Sequence, residues 1–103
     1  MITAIVRFRL PEPVSREQAK RIFEGSAPNY RGMAGLVRKY YLLSEDGRTA
    51  GGAYLWESRE AADRVYDAAW RRTVAERYGA EPEVTYFESP VVVDNVSGEI
   101  TSD

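Results

Sequence analysis

The sequence predicts an α+β fold of the ferredoxin-like type, strand, helix, strand, strand, helix, strand (βαββαβ), in which an antiparallel sheet carries two helices on one face. Three observations carry that expectation. Apolar residues recur with a period of two in four segments and at helical spacing in two others, in that order. An Asp46-Gly47 pair between the second and third strand-like segments suits a tight hairpin turn. Over Leu36 to Leu43 both alternating sets are largely apolar, with Leu36, Tyr40 and Leu42 on one side and Val37, Tyr41 and Leu43 on the other. Two helices cannot cover both faces of such a sheet, so a second layer is expected, most simply a second copy of the chain.

Ile2 to Leu10 alternates Ile2, Ala4, Val6, Phe8 and Leu10 with Thr3, Ile5, Arg7 and Arg9, the period of a strand, and Pro11 and Pro13 stop it. Ser15 to Gln18 has capping-box spacing: the Ser15 hydroxyl takes an orphan amide of the first turn and Gln18 reaches back to the cap. A helix is therefore expected from Arg16 to Glu24, with Ala19, Ile22 and Phe23 facing the sheet and Gly25 as its stop. Gly and Pro make Gly25 to Gly35 a loop, on which Tyr30 and Met33 either pin the chain to the core or line something. Leu36 to Ser44 and Thr49 to Trp56 form the hairpin around Glu45 to Arg48. Ser58 caps a second helix expected to continue to Tyr78, with Ala61, Ala62, Val65, Tyr66, Ala69 and Trp70 inward and Gly79 at its end. Pro82 to Glu88 is the fourth strand. Val91 to Val93 are too few for a core strand but suit pairing with an exposed edge. The expected organisation is one domain over residues 1–95 and a loose polar tail over 96–103.

Fourteen Lys and Arg against sixteen Asp and Glu leave a net charge of −2. Without a basic excess to gather phosphates, nucleic acid is not an expected partner. The chain has no Cys and no His, which removes thiolate nucleophiles, disulfides and Cys-based zinc, together with the commonest metal ligand and the usual neutral-pH general base. Ser-His-Asp hydrolysis and His-ligated haem go with them, while a site built of carboxylates alone stays open. No run of about 18 apolar residues occurs, and MITAIVRFRL lacks the basic start and cleavage site of a leader. A cytoplasmic protein without a membrane partner is expected.

Seven Tyr, three Phe and two Trp concentrate on the central hairpin, the second helix and the last strand. Tyr and Trp there either fill the core and a dimer interface or wall a cavity between sheet and helices, with phenol and indole groups fixing a planar ligand. Arg38 and Lys39 interrupt an apolar strand, so whichever points inward must find an anion or an acceptor. Alternation groups Arg38 with Tyr40 and Lys39 with Tyr41. Asn29, Tyr30 and Arg31 on the preceding loop are placed to close the mouth of such a cavity. Gly51-Gly52 marks either a bulge or space for a ligand or a close backbone.

The stretch APNYRGMAGLVRKYYLLSEDGRTAGGAYLWESREAA, residues 27–62, resembles the YdhR-like monooxygenase family of the dimeric α+β barrel superfamily. The resemblance rests on Pro28-Asn29-Tyr30 leading to Gly35-Leu36, Arg38-Lys39-Tyr40-Tyr41, Gly52-Ala53-Tyr54-Leu55-Trp56 and Ser58-Arg59-Glu60-Ala61-Ala62. Tyr86-Phe87 and Pro90 to Asn95 also fit. It implies a homodimer with sheets face to face, a pocket in each subunit, and a cofactor-independent monooxygenase acting on a small aromatic or polyketide-like compound. Relatives that degrade haem use a His this chain lacks. Under that resemblance the catalytic candidates are Arg38 or Lys39, stabilising a substrate anion, with Tyr40 and Tyr54 orienting it. The substrate-binding candidates are Asn29, Tyr30, Trp56, Tyr66, Trp70 and Tyr86. No metal or cofactor is expected. The alternatives are a non-catalytic small-molecule-binding or stress-related dimeric module, and a structural dimer whose cavity is packed solid.

Overall fold

The computed structural model describes residues 1–103. Strand β1 (Ile2–Arg9) is followed by helix α1 (Arg16–Ser26), a 3-10 turn (Ala27–Tyr30), strands β2 (Leu36–Leu43) and β3 (Thr49–Trp56), helices α2 (Arg59–Val65) and α3 (Ala68–Tyr78), and strands β4 (Glu83–Glu88), β5 (Val91–Asp94) and β6 (Glu99–Ser102). The first four strands form one antiparallel sheet in the order β2-β3-β1-β4, and β5 pairs only with β6. This is the expected ferredoxin-like α+β arrangement, extended by a C-terminal hairpin.

The local signals act as their chemistry requires. Ser15 Oγ accepts from the Gln18 amide at 3.1 Å and Gln18 Oε1 accepts from the Ser15 amide at 2.8 Å, so both halves of the capping box are made. In the β2–β3 turn, Gly47 takes a φ of 72°, and Asp46 Oδ1 accepts from the Arg48 amide at 3.0 Å and the Ser44 hydroxyl at 2.7 Å. Gly79 closes α3 in the left-handed region with φ 73°.

The structure departs from the sequence expectation in four places. First, α1 continues to Ser26 and the expected loop holds the 3-10 turn, so Gly25 does not stop the helix. Second, the single helix expected from Ser58 to Tyr78 is two. Tyr66 leaves helical geometry (φ −82°, ψ 50°), and Asp67 starts α3 by accepting the Trp70 amide at 2.8 Å. The break resets the helical phase, which turns Ala69 outward to solvent. Third, the β2–β3 register shifts between Leu36 and Arg38, a bulge that flips the parity of the strand's first residues. Leu36 thus joins Lys39, Tyr41 and Leu43 on the helix side, instead of Tyr40 and Leu42. Fourth, the expected loose tail turns back at Gly98 (φ 76°) and pairs Glu99–Ser102 with Val91–Asp94. Asp94 Oδ1 caps that turn by accepting from the Val96 amide at 2.9 Å.

Strand alternation sorts the sheet into two faces. Ala4, Val6 and Phe8 of β1 and Ala50, Tyr54 and Trp56 of β3 are buried under the helices against Ala61, Ala62, Tyr66 and Val74. The other face has no helix, and there Tyr40 and Phe87 are 57% and 53% exposed. β3 runs in regular register through Gly51-Gly52, so no bulge lies there. A Cβ on Gly51 would overlap the Val6 carbonyl, so that glycine permits close approach of β1, while the space above Gly52 is taken by Tyr54 and the Lys39 stem. No helix is long and apolar enough to cross a membrane.

Candidate functional site

A cavity of about 200 Å³ lies between the helix side of the sheet, the 3-10 turn and α3. β2 contributes Lys39 and Tyr41, β3 contributes Tyr54, the 3-10 turn contributes Asn29 and Tyr30, and α3 contributes Trp70, Thr73, Arg77 and Tyr78. Pairing of Lys39 with Tyr54 across β2 and β3 sets Lys39 on this side.

The Lys39 ammonium group sits in a cage of tyrosine rings. Its Nζ is 3.4 Å from the centroid of Tyr30, 3.8 Å from Tyr41 and 4.6 Å from Tyr54. The cage is built rigidly. Trp70 Nε1 donates to Tyr30 Oη at 3.1 Å, and Tyr41 Oη shares a 2.7 Å hydrogen bond with Ser26 Oγ, which donates onward to the Phe23 carbonyl. The Tyr30 ring meets the Tyr41 and Tyr54 rings edge-on at 6.5 and 5.8 Å. Lys39 itself has no hydrogen-bond partner, and none of the chain's ion pairs includes it.

Burial, assisted by the positive charge of Arg77, lowers the Lys39 ammonium from the usual 10.5 to about 7. The π faces pull the other way, since they favour the cation. An amine held near neutrality exchanges a proton at physiological pH, which fits it to general acid and base work in a chain without histidine. Burial also pushes Tyr54 far above the ordinary phenol range, so its hydroxyl stays protonated and serves as a hydrogen-bonding group only.

The other predicted site residues divide. Asn29, Tyr30, Trp70, Lys39 and Tyr54 line the cavity together. Trp56 and Tyr66 lie beneath it: Trp56 is fully buried, stacks on Tyr54 with ring centroids 6.0 Å apart, and donates its Nε1 to Tyr66 Oη at 3.0 Å. They support the cavity wall rather than line it. Tyr86 is also outside, covered by the Arg59 guanidinium 3.5 Å above its ring. Arg38 and Tyr40 are on the opposite face of the sheet. Arg38 there donates to Asp94 Oδ2 at 2.8 Å and to Tyr40 Oη at 3.3 Å, so the set Arg38, Lys39, Tyr40 and Tyr54 is split by strand alternation and does not converge.

Among the cavity residues absent from the predicted set, two bear on its chemistry. Tyr41 shares the parity of Lys39, and Arg77 follows Trp70 and Thr73 at spacings of three and four along α3, so both were readable from period. A larger depression of about 660 Å³ lies between α1 and the end of β2. Its charges, Arg16, Lys20, Glu24, Glu45 and Asp46, are solvent-exposed, and its one half-buried ionisable side chain is Tyr41, which also lines the smaller cavity. No group of His, Cys, Asp and Glu side chains is arranged to hold a metal.

No family model and no curated protein matches the sequence. Solved structures do. SnoaB, a cofactor-independent oxygenase from Streptomyces nogalater, superposes with a TM-score of 0.62 at 16% identity over 85% of this chain and 91% of its own. The ActVA-Orf6 monooxygenase of Streptomyces coelicolor, solved with nanaomycin D, gives 0.64 at 21% identity over 85% and 86%. An antibiotic biosynthesis monooxygenase gives 0.65 at 13% identity over 86% and 98%. The fold is that of the antibiotic biosynthesis monooxygenases. At these identities the likeness concerns the backbone, and the chemistry of the site must be argued from this chain's own side chains.

Proposed function

We propose that this chain is a cofactor-independent monooxygenase of the YdhR-like kind that oxidises a small electron-rich phenol or enol, working as a homodimer. The observation that carries this reading is the unpaired Lys39 amine in its tyrosine cage, opening on a cavity in a fold shared with oxygenases.

The chemistry follows from what that amine does. A bound phenol gives its proton to neutral Lys39, and the resulting phenolate is held by the lysinium in a site where solvent screening is weak. An electron-rich anion passes one electron to molecular oxygen. Superoxide and the substrate radical then join at the carbon para to the oxygen, and the peroxide so formed takes back the proton held on Lys39 to become a hydroperoxide. Neutral Lys39 then removes the hydrogen from that carbon as the O–O bond breaks, and the departing hydroxide takes up this proton and leaves as water, giving a quinone. Phenol and O₂ thus become quinone and water, with one oxygen atom in each and no external reductant. Tyr54 orients the substrate, and Trp70, Tyr30 and Tyr41 wall the ring.

The dimer is supported by the uncovered sheet face, where Tyr40, Leu42 and Phe87 are exposed together with Val91 and Val93 of the C-terminal hairpin. A second copy is the simplest cover. Light scattering on a Phe87→Glu variant is expected to report monomers where the unaltered chain reports dimers; an unaltered chain that is already monomeric at micromolar concentration contradicts the arrangement.

The activity is tested by dissolved-oxygen uptake with a panel of electron-rich phenols and anthrones, using labelled oxygen and a protein-free blank. Uptake above the blank with one labelled atom in the product is expected. Compounds that bind, read by tryptophan fluorescence, without being consumed would turn the reading to the binding module.

A further inference from the structure

The charge that lines the cavity is all of one sign. Two cationic side chains line it, Lys39 from β2 and Arg77 from α3, and no acidic side chain does. Neither enters an ion pair; the four ion pairs of the chain involve the N-terminus, Arg16, Arg38 and Arg59. The two cations repel, which is part of why the Lys39 amine sheds its proton early. No carboxylate of the chain stands in the cavity to repel an anion, although the overall charge of the protein is −2. The partner that this lining suits is an anion that comes from outside.

The size of the cavity restricts that anion. About 200 Å³ is little more than the roughly 150 Å³ that accommodates one benzene in an engineered apolar cavity. It holds a single ring with one or two small substituents more readily than a fused multi-ring compound. The walls select a flat ring, since Tyr30, Tyr54 and Trp70 present aromatic surface. Lys39 lies within the cage, half-buried, and Arg77 lines the same cavity from α3 and is solvent-exposed, a guanidinium suited to a carboxylate.

We infer that the ligand of this cavity is a single-ring phenolic carboxylate, its hydroxyl toward Lys39 and its carboxylate toward Arg77. This rests on the proposed oxygenase reading for the role of the hydroxyl, but the anion preference is a property of binding and is measured without turnover. It also sets the chain apart from a neighbour crystallised with nanaomycin D: the fold is shared while the pocket favours a smaller, charged ring.

The test compares 3-hydroxybenzoate with its neutral methyl ester, by tryptophan fluorescence and by proton NMR of the ligand, on the full chain at pH 7.5. The acid is expected to bind at least about tenfold more tightly than the ester, the order of one charge-assisted hydrogen bond. Arg77→Met should remove that preference by weakening the acid and not the ester, while Arg77→Lys restores part of it. Arg77 is exposed, and circular dichroism checks that each variant is folded. Equal affinity for acid and ester, no binding of either at millimolar concentration, or an acid preference that survives Arg77→Met would each overturn the inference. Failure of the oxygenase reading looks different: the acid binds with the expected preference while no panel compound consumes oxygen. Consumption of neutral phenols without any preference for the acid would sink the anion inference alone.

Discussion

Arg38 and Lys39 are consecutive residues on one strand, carry the same charge, and meet opposite conditions. Arg38, on the uncovered face of the sheet, is satisfied within the chain by Asp94 and Tyr40. Lys39, on the helix side, meets only ring faces, and burial drives its amine down to about 7. A cation that the fold has already paired holds the C-terminal hairpin against the sheet. An amine that no acceptor of the chain pairs, and that burial keeps near neutrality, is free to exchange a proton.

The strongest way to break this comparison is to neutralise each residue in turn. Lys39→Met should lower oxygen uptake by at least about 100-fold, the usual contribution of a general base. Its thermal stability at pH 7 should hold or improve, because a penalised amine is replaced by an apolar chain of similar length. Arg38→Met should leave uptake within about threefold, since exposed ion pairs contribute little. Equal losses in the two variants would abolish the distinction drawn here.

A second difference separates the layer that lines the cavity from the layer that supports it. Tyr66→Phe leaves the fully buried Trp56 indole N–H without an acceptor, and should cost about 1–3 kcal/mol in urea unfolding. An unfolding midpoint unchanged by that substitution would mean that water reaches the indole and that the support is looser than the packing shows.

The pH dependence sharpens the contrast further. Lys39 has a folded value of about 7 against 10.5 when unfolded, so between them the unfolded chain binds more protons than the folded one. Stability therefore rises with pH across that window through this group. Near its upper end Tyr54 and Tyr66, whose ionisation burial suppresses, begin to oppose the rise as their unfolded counterparts ionise. Lys39→Met should flatten the rise between pH 7 and 9 in thermal melts, and Arg38→Met should not. Uptake in the unaltered protein should increase with pH and level off above about 7, as the amine becomes neutral.

Much of the fold was legible because its signals are local. The capping box at Ser15, the Asp46-Gly47 turn and the alternation in β1 each specify their own few residues, and each formed as expected. What the sequence hid depends on partners distant in the chain. The apolar stripe from Ala61 to Trp70 looks continuous and hides the break at Asp67, although the Asp67-to-Trp70 spacing is that of a helix cap. The bulge after Leu36 is decided by pairing with β3, and one inserted residue there changes which side chains share a face. Lys39 against Arg38 was thus an open choice until the strands were paired. The C-terminal hairpin left a trace in Asp94, Asn95 and Gly98, turn-forming residues that a polar composition concealed.

The most direct test of the central claim is to titrate the Lys39 amine itself, following its side-chain nitrogen and ε-carbon by NMR in the folded protein and assigning the signal by its loss in Lys39→Met. The account predicts a midpoint at about 7, well below the ordinary 10.5. A midpoint near the ordinary value would contradict it, because an amine that stays charged at neutral pH could not take a proton from a phenol.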